Sequence, residues 1–216
     1  MRNLKALPFI WILLGFSAGV FLLLAILEGA DQQNLWSIVR LVPQVVTADS
    51  VLITLFVTRW WRWRVLQNWL VPFPDLDGSW DGFIQTTWVN PETGKTPGRI
   101  PVLLAIRQSF TQISCVMHTA EMSSHSYAAD FILDEPGQIR RLVYSYRSSP
   151  RPTVAHRSPP HDGTIVFDIV VKPRRALDGR YWTERKTTGE IHLHFRTKQR
   201  LERLPSDLHD HPVSGD

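Results

Sequence analysis

Three groups of residues have the types and spacing to do chemistry. Tyr144 and Tyr146 alternate, which puts both rings on one face of an extended segment, and Arg147 follows them. Tyr181, Thr183 and Arg185 share a face in the same way, with Thr187 just beyond. Rings beside guanidinium forks suit a nucleotide-like ligand, because rings stack on bases and forks grip phosphate. Ordinary cross-strand pairs on a wet face have the same spacing, so spacing alone leaves both readings open. The third group is His192 and His194 in Ile-His-Leu-His-Phe. Ile191, Leu193 and Phe195 claim the buried face of that strand, which turns the histidines toward solvent. No carboxylate or third histidine has a spacing that completes a metal set. No Gly-x-Ser-x-Gly elbow, P-loop or dinucleotide fingerprint occurs either.

The elements that carry these groups lie in the second of two unlike halves. Up to about Val71 the chain is dominated by Leu, Ile, Val, Phe and Trp; beyond Pro74 it is polar and strand-like. Pro72 and Pro74 mark the boundary. Residues 1–72 form a membrane region, 73–204 a β domain and 205–216 a polar tail expected to be disordered. Eight runs rich in β-branched and aromatic residues are candidate strands: Ser79–Val89, Ile100–Ser109, Phe110–Thr119, Ser126–Leu133, Ile139–Arg147, Thr164–Val171, Tyr181–Arg185 and Glu190–Thr197. Turn chemistry separates them at Asn90–Gly94, Glu135-Pro136-Gly137, Asp178-Gly179 and Thr188-Gly189. About eight antiparallel strands without room for crossover helices imply a barrel or a sandwich. A barrel of about eight strands can hold one small ligand, as lipocalins do. One long irregular stretch, Ser148 to Gly163, carries Arg151, His156, Arg157 and His161 and is either functional or disordered.

In the first half, Leu7–Leu27 is apolar over the roughly 20 residues a helix needs to cross a bilayer. It is longer than a signal-peptide core and lacks a good cleavage site, so it reads as a retained helix. A second span runs from about Leu35 to Thr58 and contains Arg40, Pro43, Gln44 and Asp49. Arg40 is near enough to one end to snorkel. Asp49 is near mid-span, where an ionisable group is costly and faces a protein partner or a watery path. Arg59 to Arg64, RWWRWR, closes the span. Its position there makes Trp60, Trp61 and Trp63 an interfacial belt and the arginines a positive-inside signal, rather than a nucleic-acid platform. Arg2 and Lys5 give the same signal before the first helix, so both termini are expected in the cytoplasm with Glu28–Asn34 outside. Gly15 and Gly19 form a GxxxG spacing, and Thr47, Ser50 and Thr54 add polar groups for contact between helices.

Composition sets the remaining bounds. Across 216 residues the net charge is +4, a modest excess that favours an anionic partner or only solubility. Cys115 is the single cysteine, which excludes an intramolecular disulfide framework and a zinc site built from several cysteines.

Two N-terminal spans followed by a β-rich domain resemble the two-transmembrane β-barrel effectors of bacterial cyclic-oligonucleotide anti-phage systems (CBASS). The resemblance is carried by DLDGSWDGFI (75–84), SSHSYAADF (123–131), LVYSYRSSP (142–150), HDGTIVFDI (161–169) and LDGRYWTERKTTGEI (177–191). One departure is Ser148, where the family pattern has Asn. The resemblance implies two transmembrane helices followed by a compact antiparallel, lipocalin-like β-barrel of about eight strands. It implies a non-enzymatic effector in the bacterial inner membrane. Its activating ligand is a cyclic dinucleotide made by a partner CD-NTase, with no cofactor, no metal and no DNA or RNA. Binding is expected to drive homo-oligomerisation and disruption of the lipid bilayer, involving Gly15, Gly19 and Asp49. The ligand site is expected at Ser124, Ser126, Tyr144, Tyr146, Arg147, His161, Tyr181, Thr183, Arg185 and Thr187. The rivals are a membrane-tethered hydrolase using His161 or His192 and His194, and a ligand-independent interaction protein. The topology is directly testable. A reporter enzyme active only in the periplasm, fused after Ser206, should be silent; strong activity would overturn the positive-inside reading.

Overall fold

The computed structural model describes residues 6–29, 35–67, 69–90, 93–134, 139–171 and 173–208. The chain divides into two compact units, 1–74 and 75–216. The RWWRWR motif and both spans belong to the first, all strands to the second.

In the first unit, α1 (Ala6–Leu27) and α2 (Leu35–Thr58) are long and apolar enough to cross a membrane. Phe9 of α1 meets Phe56 of α2 at 5.3 Å. The hydroxyls of α2 and its carboxylate are handled in two ways. Thr47, Ser50, Thr54 and Thr58 each return their hydroxyl to the carbonyl four residues back, at 2.7 to 2.8 Å. They are therefore satisfied within their own helix, and the expectation that Thr47, Ser50 and Thr54 bond across an interface is not met in this pair. Asp49 does cross it: Ser17 Oγ of α1 donates to Asp49 Oδ2 at 2.7 Å. Gly15 and Gly19 lie on exposed positions of α1, and a Cβ on either would meet no described atom within 4 Å. The GxxxG spacing is not what joins α1 to α2. After α2, Trp60–Arg62 makes one 3₁₀ turn. Trp61 is turned inward, buried against Phe73 at 5.7 Å, while Trp63 is exposed. The three indoles thus do not form one belt; Trp61 is a packing residue.

The second unit is the all-β domain the sequence implies. β1 (Gly78–Thr86), β2 (Ile100–Gln108), β3 (Ile113–His118), β4 (Met122–Asp134), β5 (Ile139–Pro150), β6 (His161–Val170), β7 (Ala176–Thr183) and β8 (Thr188–Thr197) pair with their neighbours in sequence, and β1 pairs β8. The result is a closed antiparallel barrel, so every strand has two partners and no edge is left to aggregate. Period-two alternation supplies its core. Val102, Leu104 and Ile106 of β2, Leu142 and Tyr144 of β5, Ile165 and Phe167 of β6 and Ile191 and Leu193 of β8 all point inside.

Two boundaries differ from the sequence reading for one reason. Asp178-Gly179 is not a turn but the middle of β7, where Gly179 faces Phe167 across the ladder. A Cβ at Gly179 would lie 2.6 Å from the Phe167 ring, so the glycine makes room for an aromatic rather than a bend. Likewise Gly189 lies in β8. The irregular stretch also shrinks, since β5 continues to Pro150 and β6 begins at His161.

One end of the barrel is plugged by the segment the sequence shows as DLDGSW. Leu76 N–H donates to Gln108 Oε1 at 2.7 Å, and Trp80 Nε1 donates to Leu76 O at 2.9 Å. Trp80 meets Phe195 edge-on at 5.3 Å, and the Arg175 guanidinium covers both rings at 5.1 and 4.1 Å. Arg175 Nη2 also donates to Asp75 O at 2.5 Å. Trp80 is fully buried, so Trp80→Ala should lower unfolding stability by about 3–5 kcal/mol. Denaturant unfolding of the full chain in detergent micelles checks this. A change under about 1 kcal/mol would show that the plug is not structural.

Candidate ligand-binding site

The meander puts the connections β1–β2, β3–β4, β5–β6 and β7–β8 at the end opposite the plug. A cavity opens there, lined by residues of all four connections and of the strand ends that lead to them. Its floor is apolar, with Ile84, Ile100, Ile165 and Ile191, and its walls are polar.

Strand register explains which side chains meet. Ser124, Ser148 and His161 lie in one row across β4, β5 and β6. Tyr146 and Thr183 flank Gly163 in the row below. A Cβ at Gly163 would collide with the Tyr146 phenol, 2.5 Å from its oxygen, so glycine lets that ring lie across the strand. Tyr181 uses Gly189 in the same manner. Its ring crosses β8, and its hydroxyl donates to Thr86 Oγ1 of β1 at 2.9 Å. Two aromatic–glycine pairs therefore aim the two tyrosines of the cavity wall.

Of the residues expected at the site, Ser124, Tyr146, His161, Tyr181, Thr183, Arg185 and Thr187 line this cavity. Three lie elsewhere. Ser126 sits at the β4 bulge and accepts the Cys115 N–H at 2.8 Å. Tyr144 is one layer deeper, packed 6.1 Å from Tyr146 and 6.3 Å from Phe167. Arg147 is on the outer face, 3.7 Å from Asp162. Alternation dictates the last result, because Arg147 is adjacent to Tyr146 and must point the other way. His192 and His194 are on the outer face too; His192 Nδ1 is 2.9 Å from Asp178 Oδ1.

The electrostatics of the cavity follow from burial. Burial lowers the His161 pKa, with the Pro159 carbonyl opposing and Arg185 reinforcing that shift. The neutral ring therefore carries its proton on Nδ1, donated to Pro159 O at 3.0 Å, leaving Nε2 as an acceptor. Burial likewise pushes the Tyr146 and Tyr181 phenols up, so both stay neutral. Thr183 and Thr187 hydroxyls meet at 2.6 Å. Arg185 reaches Ser158 Oγ through Nη1 at 3.3 Å, while its buried Nε has no partner among the described residues.

Sequence reasoning missed Glu121, Thr86, Trp88, Ser158 and the two methionines Met117 and Met122, and it noted Arg157 only as part of a long loop. Counting connections in a meander shows that Glu121 shares an end with Thr187 and Arg157. No motif marks it. Ser148, the departure noted in the sequence, is buried on the wall and donates to Met122 Sδ at 3.2 Å.

A closed barrel plugged at one end and open at the other, with a half-buried arginine and two aimed rings in the mouth, places the domain in the class of β-barrels that can hold one small ligand. Residues 71–195, more than half of the chain, match the model of the Cap15 cyclic dinucleotide receptor domain, and the chain belongs to that family. It is 26% identical over 178 residues to CD-NTase-associated protein 15 of Staphylococcus schleiferi, a match that spans 82% of this chain and 90% of that protein. The likeness to the two-helix CBASS effectors visible in the sequence therefore stands, as does the barrel it implied.

Proposed function

We propose that this protein is a membrane-embedded anti-phage effector whose barrel binds a cyclic dinucleotide in the open cavity, and that binding drives oligomerisation and damage to the bacterial inner membrane. The observation that carries the ligand reading is Arg185, a half-buried arginine whose buried Nε has no partner among the described residues, in a cavity where the other charged groups, Glu121 and Arg157, are paired with each other. An anion is the partner it lacks. Tyr146 and Tyr181 supply rings for bases, and the Ser124, Ser148, Thr183 and Thr187 hydroxyls with His161 Nε2 supply contacts for sugar and base edges. A cyclic dinucleotide offers phosphate, base and hydroxyl together. Tyr144, Ser126 and Arg147 act indirectly in this scheme, as floor packing, as a β4 staple and as an outer-face charge. The partner enzyme is then a CD-NTase that makes the ligand, and both termini face the cytoplasm where it is made.

Binding is measured by calorimetry on the full chain in detergent. Arg185→Ala should weaken the best-bound cyclic dinucleotide by roughly 1.5–3 kcal/mol, about one to two decades in affinity, with the melting temperature little changed. Equal affinity in the folded variant would remove Arg185 from the site.

For the membrane step, the support is Asp49, an acid placed mid-span and held by Ser17 across the helix pair. A pure tether would be better served by Leu, since a carboxylate at that depth costs about 2.5–3.5 kcal/mol to insert. Asp49→Leu should leave ligand affinity unchanged yet reduce dye leakage from reconstituted vesicles when ligand is added. Leakage equal to that of the original protein would make Asp49 a passenger. Crosslinking reads oligomer formation separately.

A further inference from the structure

The mouth of the cavity holds a second guanidinium, and unlike Arg185 it already has an anion. Arg157 Nη2 donates to Glu121 Oε1 in a close ion pair. The Glu121 side chain is only 9% exposed and that of Arg157 30%. Glu121 sits in the β3–β4 turn, where Thr119 Oγ1 accepts its N–H at 3.3 Å, and its own carbonyl accepts the Arg151 N–H at 2.9 Å. It therefore holds the β5–β6 connection twice, at Arg151 through its backbone and at Arg157 through its carboxylate. On the other side Arg185 holds the same connection at Ser158 Oγ, 3.3 Å away. Residues 151–160 thus form a strap clasped by groups of two turns, and the side-chain clasps use the two guanidiniums that line the cavity.

A carboxylate is a poor choice for a clasp that only holds. A little-exposed ion pair costs desolvation that an apolar contact would not. Beside an anion site the same carboxylate has a second effect, since it repels the incoming charge where solvent screens little. We propose that Glu121 is an internal counter-anion: it occupies Arg157 while the cavity is empty and must surrender it to a ligand phosphate, which sets the ligand concentration at which the receptor responds. The inference rests on the cyclic dinucleotide reading above. Such a ligand has two phosphodiester groups, one for each arginine. Phosphate replaces the carboxylate on Arg157 and the hydroxyl of Ser158 on Arg185, so ligand entry and release of the strap are one exchange.

The test uses the full chain in detergent micelles, titrated with 3′,3′-linked cyclic di-AMP, cyclic di-GMP and cyclic GMP–AMP. Glu121→Gln keeps the shape of the side chain and removes its charge. It should bind the best of these probes roughly tenfold more tightly, about 1.4 kcal/mol, while Arg157→Gln binds it more weakly than the original protein. Without ligand, trypsin should cut after Arg157 faster in Glu121→Gln, because the strap has lost a clasp. Affinity that is equal or lower in Glu121→Gln overturns the inference; a loss with altered preference among the probes would assign Glu121 to a base edge instead. Glu121→Ser is carried alongside, since loss of charge must produce the gain in whichever variant folds. If neither folds, Glu121 is a structural staple and the inference falls. If the original protein binds none of the three probes, the cyclic dinucleotide reading fails, and this inference with it; binding by the original protein without a gain in the variants refutes the role of Glu121 alone.

Discussion

Closure of β1 onto β8 is the constraint on which the domain depends. Once eight strands close, the interior has a set width, enough for packed side chains or one small ligand at any level. Side-chain size then decides the use of each level. Near the chain entry, Trp80 and Phe195 with the Arg175 guanidinium fill the bore. Tyr144 and Phe167 fill the layer above. At the mouth the inward positions are occupied by Ser124, Ser148, Thr183 and Thr187, which are too short to meet across the bore, and a cavity remains. The same ladder that forms a core at one end leaves an open cavity at the other.

Closure also imposes crowding, and glycine relieves it. Gly163, Gly179 and Gly189 each face an aromatic ring that a Cβ would strike. Where the ring is Phe167, the effect is packing. Where it is Tyr146 or Tyr181, the ring becomes part of the cavity wall with its hydroxyl end directed along it. Core packing and the cavity wall here use one device, which is why glycines appear within strands where propensity disfavours them. The charges are arranged with comparable economy of position. Arg175 at the plug is consumed by two rings and a carbonyl, whereas Arg157 and Arg185 at the mouth are held by a carboxylate and a hydroxyl.

The first unit, with two helices long and apolar enough to cross a membrane, suits a different solvent. In hydrocarbon a hydroxyl without a partner is costly, and four of the hydroxyls of α2 find theirs in their own backbone. A carboxylate has no such local recourse. Asp49 reaches Ser17 on the neighbouring helix, which makes it a polar tie between α1 and α2. Gly15 and Gly19 face outward from that pair, a surface the helices do not use on each other.

Much of this was written in local pattern. Apolar length placed both spans, with α2 matching its expected bounds Leu35–Thr58, and period-two alternation located eight strands, seven closely and β7 only at its end, with the buried face of β8 legible from Ile191 and Leu193. Those signals are local because hydrophobic periodicity records which side of each element meets the core. The same alternation separates Tyr144 and Tyr146 from Arg147, whose outward direction follows from its being next to Tyr146. What local pattern does not hold is height along the bore and identity of neighbours across it. Asp178-Gly179 has the composition of a turn, and only its register against Phe167 makes it mid-strand. Tyr144 and Tyr146 look equivalent, and only height along the bore puts one in the core and the other at the cavity wall. Glu121 and Arg157 are 36 residues apart with no motif between them. Antiparallel pairing of β4 with β5, which sets the β3–β4 turn beside the β5–β6 connection, is what made them a pair.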